Sequence, residues 1–326
     1  MIACKVTGWA DNRRIHLYAR DAFTANFHAL DGPPMPRTLD EGFRDFLGKL
    51  TPSAQESAAA KLHRASIKNA LVASFTLKRF FRMGSFGNGT SIYGHSDVDY
   101  FASLARTNLH QNSESSLRCV RNVLDARFPF TGVRVNCPAI KVPFGILGRE
   151  TTEVVIADYV EEIGGYKIYE VPDCSGGWMR SSPGTHNAYV RAADDRLGCK
   201  VKPLIRFIKA WKFYQNVPVS SFYLEIAAAA YSTGESVIVY DHDIYLVLNK
   251  LLEFELQPIR DPLGIAADGI VACKTDNQRQ DAYSKLQTAV TRAAKAVNAG
   301  KKNDVFNAFE WWRLFYGTGF PNFYTP

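Results

Sequence analysis

The chain has 326 residues, 46% hydrophobic and 22% charged, with a formal net charge of +7. This length and balance exclude a disordered chain and supply enough apolar material for two packed lobes. No run approaches the roughly 18 consecutive apolar residues of a membrane span, Met1-Ile2-Ala3-Cys4-Lys5 opens no secretory leader, and the positive charge favours polyanionic partners such as nucleotides or RNA.

The expected location is therefore the cytoplasm. Six cysteines, Cys4, Cys119, Cys137, Cys174, Cys199 and Cys273, are scattered without a C-x-x-C pair or zinc-type histidine spacing, which predicts buried free thiols.

Residues 1–37 read as an N-terminal extension, because Asp31-Gly32-Pro33-Pro34-Met35-Pro36 interrupts any helix. Leu39 to Leu50 is a short amphipathic helix. Ser53-Ala54-Gln55-Glu56 forms a capping box, and Ile67, Leu71 and Phe75 recur at helical spacing, predicting a long helix from Ala54 to Ser74. It delivers the chain into an apolar and basic strand, Leu77 to Met83.

Next comes the run from Gly84 to Asp99, Gly-Ser-Phe-Gly-Asn-Gly-Thr-Ser-Ile-Tyr-Gly-His-Ser-Asp-Val-Asp, before a second strand from Tyr100 to Leu104. Gly84, Gly87 and Gly89 permit a tight turn whose backbone N–H groups can cradle phosphate, with the Ser85 hydroxyl as a further donor. Strand alternation puts Asp97 and Asp99 on one face. Two adjacent carboxylates repel unless a cation lies between them, and hard oxygen ligands beside a phosphate cradle suit Mg²⁺.

Ser113 to Arg127 reads as a helix ending before Pro129, followed by strands at Val133-Arg134-Val135, Ile140-Lys141-Val142 and Thr152 to Val160. Mixed strands and helices in this order predict an α+β core with a mostly antiparallel sheet. Asp158 is an acid inside an otherwise apolar strand, unfavourable to bury unless paired or bound to a cation.

Gly198 opens a helical half. Over Lys200 to Gln215, Leu204, Ile208 and Trp211 line one face, while Lys202, Arg206 and Lys209 form a basic stripe. Ser220 and Ser221 precede the apolar run Phe222-Tyr223-Leu224, an N-cap signal. Helices follow at Ile244 to Leu252 and at Gln278 to Ala299, with Gly300 as the expected stop. Ala308 to Pro321 is an aromatic helix that docks on the core.

The Gly-Ser, Gly-Thr and Asp-x-Asp run resembles the signature of the polymerase-beta-like nucleotidyltransferases, and in its Ser-Asp-x-Asp form the bacterial CD-NTases of the cGAS/DncV-like group. The resemblance covers roughly Ala54 to Pro321. It implies a nucleotidyltransferase core over 38–197 with a mixed or antiparallel sheet, a long spine helix and a C-terminal helical lobe over 198–326. It also implies that Asp97, Asp99 and Asp158 hold two Mg²⁺ ions, with Mn²⁺ able to substitute, although the third aspartate is usually followed by Val-Val-Pro and here, in Asp158-Tyr159-Val160-Glu161, the proline is missing. Gly84, Ser85 and Lys209 would bind the triphosphate, with Lys212 as fallback, while Ser221 would contact phosphate and Phe222 would stack on the base. Gly176 to His186 resembles a family element, a tryptophan followed by Pro-x-x-His, to which no catalytic role is given.

The implied activity is synthesis of a cyclic di- or trinucleotide second messenger from nucleoside triphosphates with release of pyrophosphate. The expected setting is antiphage (CBASS) signalling, with a separate effector protein responding to the product. A monomer is expected, with no membrane partner and no required nucleic acid activator, the basic charge leaving RNA open. Two alternatives stand beside this: transfer to RNA ends or another acceptor, and a non-catalytic nucleotide or RNA sensor. The lack of a separate basic RNA-binding domain weighs against the first, and three carboxylates weigh against the second.

Overall fold

A computed structural model describes residues 38–324, apart from 96, 146–149, 263 and 265–268. The expected extension and the Glu56 side chain of the expected capping box lie outside the described parts. The long helix α2 (Ala54–Ser74) follows a shorter α1 (Leu39–Leu50), whose first turn is closed by a reciprocal cap between Thr38 and Glu41.

Ile67, Ala70 and Leu71 of α2 are buried against one face of a mixed sheet, beside Leu117, Val120 and Leu124 of α4 (Ser113–Arg127). The sheet comprises β1 (Leu77–Met83), β2 (Val98–Leu104), β3 (Arg134–Asn136), β4 (Ala139–Phe144), β5 (Glu150–Ile163), β6 (Tyr166–Pro172) and β7 (Trp178–Ser181). Its order is β1-β2-β5-β4-β3, with β6 on β5 and β7 on β6. β2 and β5 run parallel, and every other pairing is antiparallel. The long β5 pairs with β4 along its first half and with β6 along its second.

The helical part comprises α5 (Pro183–Arg196), α6 (Val201–Tyr214), α7 (Ser221–Ser232), α8 (Tyr240–Glu253), α9 (Asp276–Lys301) and α10 (Val305–Tyr316). Its core also takes in Phe43 and Phe46 of α1, so the first helix packs with the last ones rather than on the sheet. Phe43 meets Phe207 edge to face at 5.2 Å, and Phe46 lies 4.6 Å from Tyr316. Burying each such ring contributes about 1.5–3 kcal/mol relative to leaving it exposed. Among the described residues no helix is long and apolar enough to cross a membrane.

Several expectations change. The glycine run does not form a simple turn: Gly84–Asn88 is a short helix, α3, ended by Gly89 in the left-handed region at φ 75°. β6, β7 and α5 were not anticipated, although Gly164 and Gly165, both at positive φ, make the two-residue hairpin between β5 and β6. Gly300 does not end α9, which runs on to Lys301; a Cβ at Gly300 would lie 3.2 Å from Leu39 Cδ1, so the glycine allows α1 to approach closely. Not all the thiols are free, since Cys137 and Cys174 form a disulfide between the turn into β4 and the β6–β7 loop.

Candidate active site

The sheet wall of the site follows from register. Asp97 immediately precedes β2, and Asp99 lies within it beside Met83 of β1. In the parallel β2–β5 pair Asp99 stands opposite Glu153, and in the antiparallel β4–β5 pair Glu153 stands opposite Lys141. Three adjacent strands therefore hold Asp99, Glu153 and Lys141 abreast on one face, while Val142, Val154 and Ile156 turn to the core with α2 and α4. Lys141 Nζ lies 3.2 Å from Asp97 Oδ2 and 3.6 Å from Glu153 Oε1, and Asn136 Nδ2 donates to the same Glu153 oxygen at 3.0 Å.

Gly84 is required by this wall. It sits at φ 60°, and a Cβ there would fall inside the Asp99 carboxylate. At Gly87 a Cβ would lie 2.7 Å from the Arg82 carbonyl oxygen, so the α3 turn can fold back on β1 only with glycine.

Burial pushes the Asp99 carboxyl up to about 7, helped by Glu153, Asp97 and Glu225 and opposed by Lys209. In a carboxylate cluster of this kind each ionised acid disfavours ionisation of the next, and the Lys141 ammonium answers the charge of Asp97 and Glu153. Asp97, Asp99 and Glu153 suit a divalent cation by the chemistry of the donor set: they are hard oxygen donors on one face of the sheet, and the Asp99 carboxyl is pushed up to about 7. A second acidic grouping, Asp194 and Asp195 with Cys199, has another purpose. The Asp194 carboxylate accepts the Val201 and Lys202 N–H groups at 3.0 Å each and pairs with Lys202 Nζ, so it caps α6, and the Cys199 sulfur is already bonded.

Asp158 does not join the cluster. It stands opposite Leu104, five positions along β5 from Glu153, and an odd separation turns it to the other face of the sheet. There it is buried and lies 3.8 Å from Arg106 Nη1, an ion pair that answers its need for a partner. The β5 acid in register with Asp99 is Glu153. The signal was present in the sequence, because Glu153-Val154-Val155-Ile156 carries the two valines that the resemblance calls for after the third acid.

The helical wall is organised by a buried ion pair. Lys209 Nζ donates to Glu225 Oε2 at 3.2 Å and to the Thr90 carbonyl at 3.0 Å, and Glu225 also accepts from Asn88 Nδ2 at 2.5 Å and Thr90 Oγ1 at 2.6 Å. This network ties α6 and α7 to the end of α3. Burial lowers the Lys209 pKa, against the opposing pull of Glu225. Ser220 is the N-cap of α7, accepting from the Tyr223 N–H, which leaves the Ser221 hydroxyl to accept from Lys212 Nζ at 2.6 Å. Phe222 is 43% exposed, and the His186 ring meets it edge to face at 5.0 Å. His186 is held from behind by Asp261, 3.1 Å away.

Between the walls lies a cavity of about 370 Å³. Gly84, Ser85, Asp99, Lys209, Ser221 and Phe222 line it together, as do His186, Asn187 and Glu225. Asp97 and Glu153 both stand outside the lining, beside Lys141. Glu153, Lys141, Asn136, Glu225 and Asn187 were not singled out from the sequence. Glu153 had a motif signal, whereas the others sit where they do through pairing and packing that local patterns do not report.

Residues 37–193 match the family described as Second Messenger Oligonucleotide or Dinucleotide Synthetase domain. Among curated proteins no relative matches. The Vibrio cholerae DncV cyclic AMP-GMP synthase, solved with a linear intermediate, is similar at TM-score 0.68 and 13% identity, over 89% of this chain and 98% of that one. Escherichia coli MS115-1 CdnC, solved with ATP, gives 0.66 and 17% over 86% and 98%. Elizabethkingia meningoseptica CdnE cyclic dinucleotide synthase, solved with GTP and Apcpp, gives 0.58 and 18% over 77% and 97%. Residues 37–193 thus match the second messenger oligonucleotide or dinucleotide synthetase family, on a chain that has the α+β nucleotidyltransferase fold of the bacterial cGAS/DncV-like enzymes.

Proposed function

We propose that the protein joins nucleoside triphosphates into a cyclic di- or trinucleotide second messenger and releases pyrophosphate. The observation that carries this reading is the single cavity on which Gly84, Ser85 and Asp99 converge from the sheet side and Lys209, Ser221 and Phe222 from the helical side. A phosphate cradle, an acid at the edge of a carboxylate cluster and an aromatic platform match the three parts of a nucleoside triphosphate bound to metal.

Two Mg²⁺ ions, replaceable by Mn²⁺, would be held by Asp97, Asp99 and Glu153, and when bound would neutralise the donor phosphates and acidify the attacking ribose hydroxyl. Glu153, rather than Asp158, is the acid placed to assist removal of that hydroxyl's proton. Ser85 and the Lys212–Ser221 pair orient the triphosphate; Lys209, engaged by Glu225, holds the two helices that carry them. Phe222 stacks on the base, with His186 against its edge. Positioning of this kind supplies much of the acceleration in phosphoryl transfer. The linear product then turns in the same cavity and reacts again.

In this reading the chain divides functionally at about residue 198, works as a cytoplasmic monomer, needs no nucleic acid activator, and signals to a separate effector in antiphage defence. The test is to incubate the purified protein with the four nucleoside triphosphates, each labelled in turn, and Mg²⁺ or Mn²⁺, then treat with phosphatase and identify the remainder by mass. A phosphatase-resistant product is expected and names the bases. Nucleotide binding with no pyrophosphate release would make the protein a sensor, and label joined only to added RNA would make it an end-transferase.

A further inference from the structure

Lys141 has no role in the reading so far, yet its place is specific. Alternation along Ala139-Ile140-Lys141-Val142 turns Ile140 and Val142 into the core and Lys141 to the site face, directly across from Glu153. Its ammonium sits between Asp97 and Glu153, at 3.2 and 3.6 Å, where two carboxylates would otherwise face each other unneutralised. The three side chains keep 22%, 44% and 21% of their surface exposed for Lys141, Asp97 and Glu153, so the ammonium can leave without opening the core.

We propose that Lys141 is a resident counter-ion of the carboxylate cluster, holding Asp97 and Glu153 together when no divalent cation is bound and yielding that place when one binds. The inference rests on the metal reading of the cluster. An ammonium on a flexible four-carbon stem and a divalent cation compete for the same oxygen lone pairs, and the lysine is the one that can swing aside. Asn136, which donates to Glu153 at 3.0 Å, keeps that carboxylate in place while the exchange occurs. Lys141 is thus a positioning residue that sets how strongly the empty site resists metal.

The test is a Mn²⁺ titration of the nucleotide-free full chain, followed by electron paramagnetic resonance of the unbound ion. K141M removes the charge and keeps much of the stem. It is expected to bind Mn²⁺ about tenfold more tightly than the parent, a modest factor because the pairs are partly exposed. K141R, which retains a cation there, is expected to show no such gain. Equal or weaker Mn²⁺ binding by K141M overturns the proposal, since a bystander or a supporting group would behave so. D97N, measured alongside, separates the two levels: if it binds Mn²⁺ as well as the parent does, the metal reading itself fails and the inference falls with it.

Discussion

On the sheet, Asp99, Glu153 and Lys141 stand abreast because three strands are hydrogen-bonded in one register, and a slip of one residue would turn each to the opposite face; of the three, Asp99 lines the cavity. On the helical wall, Lys209, Lys212 and Ser221 meet because α6 and α7 pack side by side, and their partners are chosen by distance between helices. The sheet wall is set by counting; the helical wall is set by packing. Damage to the first is expected to appear as lost metal binding with the fold intact, and damage to the second as lost stability.

The largest stability effect is expected at the Lys209–Glu225 pair. Breaking a buried, hydrogen-bonded ion pair from one side costs about 3–5 kcal/mol, so K209M or E225A should lower urea-unfolding stability by that amount, and K209M/E225Q should recover part of it. If K209M unfolds like the parent while losing nucleotide affinity, Lys209 is free to serve phosphate and the distinction between the walls is wrong. Next is the Cys137–Cys174 disulfide, which closes a sequence separation of 37 residues. C137S/C174S should lose about 2–4 kcal/mol. No loss would show that the bridge does not restrain the unfolded chain.

Phe222 is exposed enough to stack on a base without holding up the fold. A stacked base is worth about 1–3 kcal/mol, so F222A should weaken nucleotide binding roughly 5–150-fold in calorimetry, with rescue by F222Y. Unfolding should not change.

A further effect is a pH dependence. Asp99 holds its proton more tightly in the folded protein, at about 7, than at the ordinary value of 3.8. The folded state therefore binds more protons in that window, and metal-free stability falls as pH rises through it and levels off above about 7. Thermal unfolding in a chelator should show this decline in the parent and a weaker one in D99N; parallel profiles would contradict it.

Much of the fold was legible in local pattern. The bounds of α1, α2, β1 and α4 follow from caps, proline and apolar spacing, all carried by neighbouring residues. The glycine run misled because Gly84 and Gly87 look like turn residues, while their purpose is close approach, to Asp99 and to the Arg82 carbonyl. Of the site, Gly84, Ser85, Asp99, Lys209, Ser221 and Phe222 do line one cavity. Local pattern pointed to Asp158 because it is the more conspicuous charge in an apolar strand, and such pattern cannot show that its charge is answered by Arg106. Parity along β5 separates it from Glu153 once the register with β2 is known.

The most direct test of this account compares E153Q with D158N in pyrophosphate release from nucleoside triphosphates with Mg²⁺. Removing one acid of a metal cluster is expected to cost about 10²–10³-fold or more. E153Q should show that loss with an unchanged circular dichroism spectrum and weaker Mn²⁺ binding, while D158N keeps its rate within about tenfold and loses stability instead. An inactive, well-folded D158N beside an active E153Q would contradict the register-based assignment and return Asp158 to the centre of the site.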